Sequence, residues 1–582
     1  MAKVTGKAID RTLLRKLFAF VAPYKKLFWG SAVLIIVLSF TGVLRPYLTQ
    51  QAIDVELLKE HDREGLLAII LLILGLIFLE TILQFFQTLL AGLLGQSVTN
   101  DLRRKLYGHI IKLKPSYFDK NPIGMLVTRV VSDIETINDI FTEGLLIIFG
   151  DLLKLAAILG IMFYTNWELT LYCLIPIPVL IIATNIFRKA IRKSFQQVRS
   201  QVSRLNTFVQ EHITGMSIVQ VFSREKTEMK KFEDINKEHR KAHIDSVMAY
   251  SIFFPVVEIL SAFSVAFVMW LGVGSALKGL TSFGELVAFV MYINLLYRPI
   301  RMLADRFNTL QMGMVGCERV FTILETEATI PIPGNASVHE IKGEVNFSNV
   351  TFSYNEGEQI LKGISFHVNP GETVAVVGAT GAGKTSIINV LGRMYEFEGG
   401  EVNLDGVSLR NVAPEELRRH MSIVLQDVFL FSDSVLNNIT LHNPAITRER
   451  VEAAARTIGA HDFIMRLPGG YDFNVMERGH TLSVGQRQLI SFLRAYVHEP
   501  RILILDEATS SIDSESEELI QRATEKLTQN RTSIIIAHRL STVKNANRIL
   551  VMDKGKIIEE GNHERLLEKD GAYARLYKLQ FV

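Results

Sequence analysis

The chain has 582 residues, and because single hydrophobic cores seldom grow beyond roughly 250–300 residues, more than one domain is expected. Its net charge is only +3, which excludes a protein that attracts nucleic acid through a global basic field. Apolar residues make up 48% and are concentrated in the first 310 residues, while two cysteines, Cys173 and Cys317, are too few for a disulfide framework and are expected to be packing residues.

Residues 1–26 are predicted to form an amphipathic helix at a membrane interface. An apolar set opposes a basic set along this segment: Leu13, Leu14, Leu17, Phe18 and Phe20 against Arg11, Arg15 and Lys16. No apolar core is followed by a small-residue cleavage site, so a secretory signal is not expected.

Six apolar stretches are long enough to cross a bilayer core of about 30 Å as helices. They lie near residues 28–52, 66–97, 139–164, 167–187, 247–277 and 282–308, and only the "TNWE" break around Asn166 separates the third from the fourth. The long connections 99–138 and 188–246 carry seven and thirteen basic residues, whereas "DVELLKEHDREG" has two basic and five acidic ones. The positive-inside rule therefore predicts that the termini and both long connections are cytoplasmic.

Charged residues within these stretches cost free energy unless they face a cavity or a partner. The candidates for substrate contact are Glu80, Asp151, Lys154, Glu258 and Arg298. The alternative is that they pair structurally, or lie where the helices continue outside the lipid as a stalk.

A proline- and glycine-punctuated linker precedes a region of alternating strand and helix patterns, which is typical of an α/β domain. Its "TVAVVGATGAGKTS" satisfies the phosphate-loop pattern from Gly378 to Thr385 between a strand and a helix. Backbone amides of such a loop bind phosphate, Lys384 supplies a point charge to the β and γ phosphates, and Thr385 supplies a Mg²⁺ ligand. Nucleotide binding is therefore predicted.

The sequence "RILILDEATSSID" reads as a buried parallel strand that ends in two carboxylates. Beside a phosphate loop these have separable tasks: Asp506 can hold the Mg²⁺ shell, and Glu507 can polarise the attacking water. A merely solvated acidic strand end is the alternative.

With these motifs the chain resembles an ATP-binding cassette (ABC) half-transporter, of the exporter type called type IV. The resemblance implies an α-helical polytopic membrane domain with six transmembrane helices, followed by an α/β P-loop NTPase domain. The expected divisions are residues 1–26, an elbow helix; 27–320, the transmembrane domain; 321–342, a linker; and 343–582, the nucleotide-binding domain. "PSYFDKNPIGMLVTRVVSDI" and "EHITGMSIVQVFSREKTEMKKF" resemble the loops that carry the family's two coupling helices.

The resemblance also implies an ATP site with Mg²⁺. Tyr354 resembles the platform on which adenine stacks, although it could be a packed strand tyrosine; Gln426 matches the glutamine that contacts Mg²⁺ and water; His538 matches the γ-phosphate histidine. Asp513 matches the aspartate of the loop that crosses to the partner. The remaining nucleotide-binding candidates are the phosphate-loop residues Gly378, Thr380, Gly381, Ala382, Gly383, Lys384, Thr385 and Ser386.

"LSVGQ" resembles the family signature, in which Ser483, Gly485 and Gln486 would bind ATP held on the phosphate loop of an opposite domain. One phosphate loop and one signature make two half-sites, so a second half-transporter chain is expected. A homodimer is favoured. Val484 replaces the signature's second glycine and leaves a heterodimer open, while the "ERG" around Glu477 favours the exporter branch.

The function predicted is ATP-driven export, or outward flipping, of amphipathic small molecules or lipids across the cytoplasmic (inner) membrane by alternating access. An ATP-gated channel or regulatory membrane protein is the alternative, and lipid flipping and multidrug efflux are not separated. An importer is disfavoured, and the six spans exclude a soluble ABC ATPase acting on nucleic acid, so no nucleic-acid partner is expected. Only about 26 residues precede the first span, so a peptidase domain is not expected.

Overall fold

The computed structural model describes residues 10–60, 62–327, 341–355, 357–506, 514–537 and 539–580. The chain divides into two compact units. The helical unit contains Met1–Ile111 and Ile123–Thr326, and the α/β unit contains Lys112–Pro122 and Glu327–Val582.

Long helices make up the helical unit, with short stretches of π-helix at Ala52–Glu60, Arg129–Asp133 and Ile140–Gly144. The helices up to the end of this unit are α1 (Arg11–Val21), α2 (Lys25–Gln51), α3 (Arg63–Ile110), α4 (Pro115–Lys120), α5 (Ile123–Thr128), α6 (Ile134–Asp139), α7 (Leu145–Thr165), α8 (Trp167–Leu174), α9 (Ile177–Thr214), α10 (Met216–Val221), α11 (Glu225–Ala276) and α12 (Phe283–Leu324). Of these, α4 falls within the α/β unit.

Six helical stretches of the described chain are long and apolar enough to cross a membrane, which confirms the predicted number of spans. They are Arg11–Leu58, Arg63–Ile110, Ile123–Thr165, Trp167–Thr214, Glu225–Ala276 and Phe283–Leu324. Helices suit this environment because lipid offers no hydrogen bonds, so each backbone group must be satisfied within its own segment.

The break between the third and fourth stretches is at Asn166, as the sequence predicts. Asn166 has an extended backbone, so α7 ends at Thr165. Its side-chain oxygen accepts the backbone N–H of Leu169 at 3.1 Å and caps α8. One asparagine thus ends one membrane helix and starts the next.

Polar contacts join the helix ends where the connections are short. Asp54 accepts the Gly284 backbone N–H at 2.7 Å and the Ser282 hydroxyl at the start of α12. The Asn166 amide donates to Glu285, also in the first turn of α12, at 3.4 Å. We call this the short-connection end of the helical unit, and its bonds tie the end of the first span to the beginning of the sixth.

The amphipathic face of α1 packs against protein. Leu17 and Val21 are buried, the Phe20 ring lies 6.2 Å from that of Phe321 on α12, and the Lys105 ammonium of α3 lies 5.2 Å from the centroid of Phe20. Apolar residues of α1 therefore pack this helix against α3 and α12.

Both cysteines are buried and free, so the packing role predicted for them is confirmed. Cys173 belongs to an apolar core of the helical unit. Its backbone carbonyl accepts the Ser264 hydroxyl at 2.9 Å, and that hydroxyl also bonds the Tyr297 hydroxyl at 2.8 Å. The buried polar groups at this point of the core are thus satisfied by one another.

The helices α9 and α11 are both far longer than a bilayer core is thick. With 38 and 52 residues, α9 and α11 extend about 57 and 78 Å at about 1.5 Å per residue. Since a bilayer core measures about 30 Å, both continue well outside it, as predicted for the stalk. The short helix α10 joins their far ends and lies in one of the two predicted coupling loops.

His212 and Glu228 clamp the ends of α9 and α11 on either side of α10. The two ring nitrogens of His212 lie 2.8 Å from the Glu228 carboxylate and 2.8 Å from the Phe208 carbonyl oxygen. Both partners are acceptors, so only the protonated imidazolium satisfies both. The bond to Glu228, followed by the Phe208 carbonyl, raises the pKa of His212.

The described residues of the α/β unit form two sheets. Its strands are β1 (Val345–Ser353), β2 (Gln359–Val368), β3 (Thr373–Gly378), β4 (Gly399–Leu404), β5 (Val407–Ser408), β6 (Met421–Val424), β7 (Ile502–Asp506), β8 (Thr532–Ile536), β9 (Arg548–Asp553) and β10 (Lys556–Gly561). The smaller sheet has the order β2-β1-β4-β5, and the larger has the order β10-β9-β3-β8-β7-β6. In the larger sheet β9, β3, β8, β7 and β6 are parallel, and β10 is an antiparallel edge.

Both faces of the larger sheet are covered. Leu503 and Leu505 of β7 belong to one apolar core, and Ile502 and Ile504 to the other, as the alternation of side chains along a strand requires. The helices are α13 (Lys384–Leu391), α14 (Pro414–Arg419), α15 (Val435–Thr440), α16 (Arg448–Ile458), α17 (His461–Arg466), α18 (Val484–Val497), α19 (Ser514–Thr528), α20 (Leu540–Lys544), α21 (His563–Glu568) and α22 (Ala572–Gln580).

The segment Lys112–Pro122 belongs to the α/β unit although it lies between helices of the helical unit in sequence. It carries α4, in the first of the two predicted coupling loops. The Tyr395 hydroxyl donates a hydrogen bond to Asp119 of this helix. α4 is therefore anchored on the α/β unit by a side-chain contact.

We predict that His212→Gln lowers the melting temperature more at low pH than at high pH. A group whose folded pKa is raised stabilises the fold fully below its unfolded value and loses this contribution as the pH rises through the folded pKa. Melting curves at about pH 6 and about pH 9 would measure the difference.

The matched control for this prediction is His239→Gln on α11, because the His239 ring meets that of His243 edge to face and makes no ion pair with a described carboxylate. Its effect should not depend on pH in this way. A His212→Gln deficit that is the same at both pH values would contradict the clamp.

Candidate nucleotide-binding site

The phosphate-loop residues lie between β3 and α13, as the sequence predicts. β3 ends at Gly378, and α13 begins at Lys384. A Cβ atom at Gly378 would lie 2.3 Å from the Met552 carbonyl oxygen, and Gly383 has a left-handed backbone with φ of 101°. Both positions therefore require glycine, for close approach in the first case and for conformation in the second.

Lys384 is held inside the loop that it follows. Its ammonium donates to the carbonyl oxygens of Gly378 and Ala379 at 2.8 and 3.1 Å, and the residue is only 7% exposed. Burial lowers the pKa of this ammonium, and the nearby Asp506 carboxylate opposes the shift. A confined positive charge beside backbone amides at a helix N-terminus is suited to bind phosphate.

Asp506 lies at the end of β7 and is 6% exposed. Burial raises the pKa of its carboxyl group, while Lys384 and a hydrogen bond with the Thr385 side chain oppose the shift. A hydroxyl bonded to a carboxylate forms a pair of oxygen donors of the kind that Mg²⁺ prefers. The residues present therefore fit a magnesium ion.

Gln426 lies two residues beyond β6, which pairs in parallel with β7 so that Val424 is opposite Leu505. Gln426 and Asp506 consequently lie at the same carboxyl edge of the sheet, where open parallel sheets bind ligands. The adjacent Asp427 interacts electrostatically with Asp506. The sequence reasoning missed Asp427, although an acid directly after Gln426 was a signal.

Three predicted site residues, Glu507, Asp513 and His538, lie outside the described residues. The strands that precede the first and third are described: β7 ends at Asp506 and β8 at Ile536, and these two residues are opposite one another in the sheet.

The other phosphate-loop residues differ in their exposure to solvent. Thr380 and Gly381 are exposed, whereas Ala382 is buried and its carbonyl accepts the Gly555 N–H at 3.1 Å. Ser386 is buried on the first turns of α13, and its backbone N–H donates to the Gly383 carbonyl at 3.2 Å. The exposed edge of the loop is thus the part that is open to a ligand.

Ser483 caps α18, as the family resemblance implies for a signature element at a helix N-terminus. Its hydroxyl accepts the Gln486 backbone N–H at 3.2 Å, and the Gln486 side chain accepts the Ser483 N–H at 3.0 Å. Gly485 is buried, whereas Val484 is 42% exposed. Within the described residues, no hydrogen bond or ion pair joins positions 482–487 to positions 378–386.

Comparison with known proteins places both units in one family. The family described as ABC transporter transmembrane region matches residues 28–300, and the family described as ABC transporter matches residues 361–510. The chain belongs to the ABC transporter family. It is therefore a multi-pass membrane protein that binds ATP and couples ATP hydrolysis to transport.

Similar bacterial ABC transporters cover nearly the whole chain. The ABC transporter ATP-binding protein YknV of Bacillus subtilis is 38% identical over 100% of this chain and 96% of its own length. The probable multidrug resistance protein YheH of the same organism is 38% identical over 92% of this chain and 80% of its own. An ATP-dependent lipid A-core flippase of Desulfotalea psychrophila is 35% identical over 98% of this chain and 100% of its own.

Tyr354 of this ABC transporter is attached to α13 through its hydroxyl group. That hydroxyl lies 3.1 Å from the Ser386 hydroxyl and accepts the Asn389 amide at 2.8 Å. The ring meets Phe352 and Tyr395 edge to face, with centroids 4.8 and 5.0 Å away. The predicted adenine platform is thus held rigidly beside the phosphate loop by contacts that sequence reasoning missed, because they join distant segments.

We predict that Tyr354→Phe and Tyr354→Leu distinguish an adenine-stacking role of this residue from that of a packed strand tyrosine. The phenylalanine variant keeps the ring and should bind ATP with nearly unchanged affinity, while the loss of its hydrogen bonds destabilises the α/β unit by about 1 kcal/mol. The leucine variant should bind ATP about 5- to 150-fold more weakly, because base stacking contributes about 1–3 kcal/mol.

Denaturant unfolding measures the first effect, and equilibrium binding of a fluorescent ATP analogue measures the second. If both variants bind ATP with equal affinity, Tyr354 is a packed tyrosine and does not stack on adenine.

Proposed function

We propose that this ABC transporter exports amphipathic small molecules or lipids across the cytoplasmic membrane, as a dimer that alternates between inward- and outward-facing states. The observation that carries the proposal is the fusion of a six-span helical unit to an α/β unit with one phosphate loop and one signature. Each ATP site is then completed by a second chain, preferably an identical one.

The distribution of basic residues supports a cytoplasmic location for the α/β unit. The two long connections between spans carry seven and thirteen lysines and arginines, whereas the acidic segment that includes Asp54 lies on the opposite side. Since lysine and arginine are retained on the cytoplasmic side of bacterial inner membranes, the connection that carries α10 would be cytoplasmic.

The exposed apolar tip of the stalk supports a second chain. Ile218, Val221 and Phe222, in and just after α10, are exposed, although α10 contacts its neighbours α9 and α11. By contrast α4, the other short helix of this kind, is anchored on the α/β unit of its own chain. We propose that the α/β unit of a second copy covers α10, because exposed apolar patches of this kind mark interaction sites.

Several residues would act together on ATP. Lys384 would bind the β and γ phosphates, with Thr385, Asp506 and Gln426 holding Mg²⁺, which shields the phosphate charge when bound. Glu507 would polarise the attacking water, and His538 would contact the γ-phosphate. Ser483, Gly485 and Gln486 of the opposite chain, with Asp513 near the boundary, would close the site.

Closure around ATP would then drive the transport cycle. Contacts from both chains to one nucleotide exist only in the closed dimer, so ATP favours that state by its differential affinity. Hydrolysis removes the γ-phosphate that bridges the chains and allows them to separate. The relatives named for lipid A-core flipping and multidrug resistance support lipids and drugs as the substrate range.

An ATP-gated channel is the second candidate function, and a transport experiment separates the two. Reconstituted in vesicles, an exporter should move an amphiphile against its gradient only with ATP. Glu507→Gln should keep ATP binding but slow hydrolysis on the order of 100-fold or more, and uphill movement should disappear with it. ATP-dependent conductance without accumulation would favour the channel.

The composite-site prediction is tested by complementation between two inactive variants. Lys384→Ala disables the phosphate loop, and Ser483→Ala disables the signature. Each alone should have little ATPase activity. When both are present together, mixed dimers contain one site built from two intact halves, so part of the activity should return.

The control is each variant mixed with the Lys384→Ala, Ser483→Ala double variant, which offers no intact half and should restore nothing. Activity that does not return in the first mixture, together with a fully active isolated monomer, would refute the composite sites. If the wild-type chain is inactive alone but gains ATPase activity with a different half-transporter, the functional dimer is a heterodimer.

A further inference from the structure

Four helices of the helical unit bring ionisable side chains together within the apolar bundle. We call these residues the charged cluster: Arg45 on α2, Glu80 on α3, Asp151 and Lys154 on α7, and Arg298 and Arg306 on α12. A Cβ atom at Gly42 would lie 3.6 Å from the Lys154 ammonium and 3.9 Å from a Glu80 carboxylate oxygen, so both groups face the same glycine. The Arg306 Nε lies 3.1 Å from the Asp151 carboxylate.

The remaining arginines adjoin these groups. Arg298 interacts electrostatically with both Asp151 and Lys154, and Arg45 with Lys154. Of the charged residues singled out from the sequence, the structure thus unites Glu80, Asp151, Lys154 and Arg298. It excludes Glu258, which pairs with Arg301 at 2.9 Å.

Three members of the charged cluster lie deep in the spans. Glu80 and Arg298 come 17 and 15 residues after the first residues of α3 and α12, and Lys154 comes 11 residues before the last residue of α7. At about 1.5 Å per residue, they lie about 17–26 Å of helix from the short-connection end. A bilayer core of about 30 Å therefore encloses this depth.

Positive charge is in excess in the cluster. Asp151 is matched by Arg306, although the contact is an ion pair without hydrogen-bond geometry, and Glu80 faces Gly42 together with Lys154. Arg45 and Arg298 form no ion pair with any described residue, and the Arg45 Nε and a Glu80 oxygen are buried without a hydrogen-bond partner. Uncompensated charge in apolar surroundings is costly, and a ligand of opposite charge would recover that free energy.

We infer that the charged cluster binds the acidic headgroup of an amphiphile, a phosphate or carboxylate that carries one or two negative charges. Guanidinium groups suit both anions, because their planar N–H donors match two oxygens at once. Glu80 limits the negative charge that the site accepts and disfavours a headgroup with several phosphates. The inference rests on the proposed export function and narrows its substrate class.

The test uses direct binding to the full-length protein without nucleotide. The probes are phosphatidic acid and oleate as phosphate and carboxylate amphiphiles, phosphatidylethanolamine as a zwitterion and a long-chain alkyltrimethylammonium as a cation, each titrated with native mass spectrometry. Wild type should bind one or both acidic probes at least about tenfold more tightly than the other two.

Two substitutions should move this affinity in opposite directions. Arg298→Gln should weaken binding of the preferred acidic probe by about 10- to 100-fold, as expected for loss of a charged hydrogen bond. Glu80→Gln should strengthen it severalfold, up to the order of tenfold, because a like charge is removed. A cluster that merely holds the helices together would give weaker binding, or a lower melting temperature, in both variants.

The matched control is Arg301→Gln, on the same helix but paired with Glu258 outside the cluster, which should leave probe affinity unchanged. Equal binding of all four probes, or equal effects of Arg298→Gln and Arg301→Gln in folded protein, would overturn the inference. If the protein nevertheless moves an amphiphile against its gradient with ATP, the exporter function is retained and only the headgroup site is rejected. If the acidic probes bind selectively but no probe is moved in an ATP-dependent way, the headgroup site is supported and the exporter function is rejected.

Discussion

The buried contact between the phosphate loop and the end of β7 organises the α/β unit. Lys384 and Asp506 are both almost inaccessible to solvent, and each stabilises the charged form of the other against the cost of burial. Their meeting depends on the parallel register of β3, β8 and β7, because the three carboxyl ends must lie at one edge. A shift of one strand would separate the Lys384 ammonium from the Asp506 carboxylate.

Much of this architecture could be predicted because its causes are local. Apolar runs of about 20 residues can only be satisfied as helices in lipid, and a single extended asparagine divides two of them, as Asn166 does. The phosphate loop is equally local, since Gly378 and Gly383 are required by their own backbone surroundings. The capping box of Ser483 and Gln486 lies within four consecutive residues.

What escaped prediction depends on segments that are distant in sequence. The hydroxyl of Tyr354 accepts a hydrogen bond from Asn389 on α13, and no local sequence pattern around either residue predicts this bond. The charged residues within the spans could be found one by one, but whether Glu80 meets Lys154 or Glu258 meets Arg301 depends on how four helices pack. The same holds for α4, whose attachment to the α/β unit follows from the contact between Asp119 and Tyr395.

The length of α11 has a mechanical consequence. This helix is continuous over 52 residues, from Glu225 near the clamp to Ala276, and it spans about 78 Å. Pro255 lies inside this helix and removes one backbone hydrogen bond, yet α11 continues past it. A tilt of the whole helix by about 5° would move its far end by about 7 Å. Modest angular changes at the tip of the stalk are therefore enough to rearrange side chains at the depth of the bilayer.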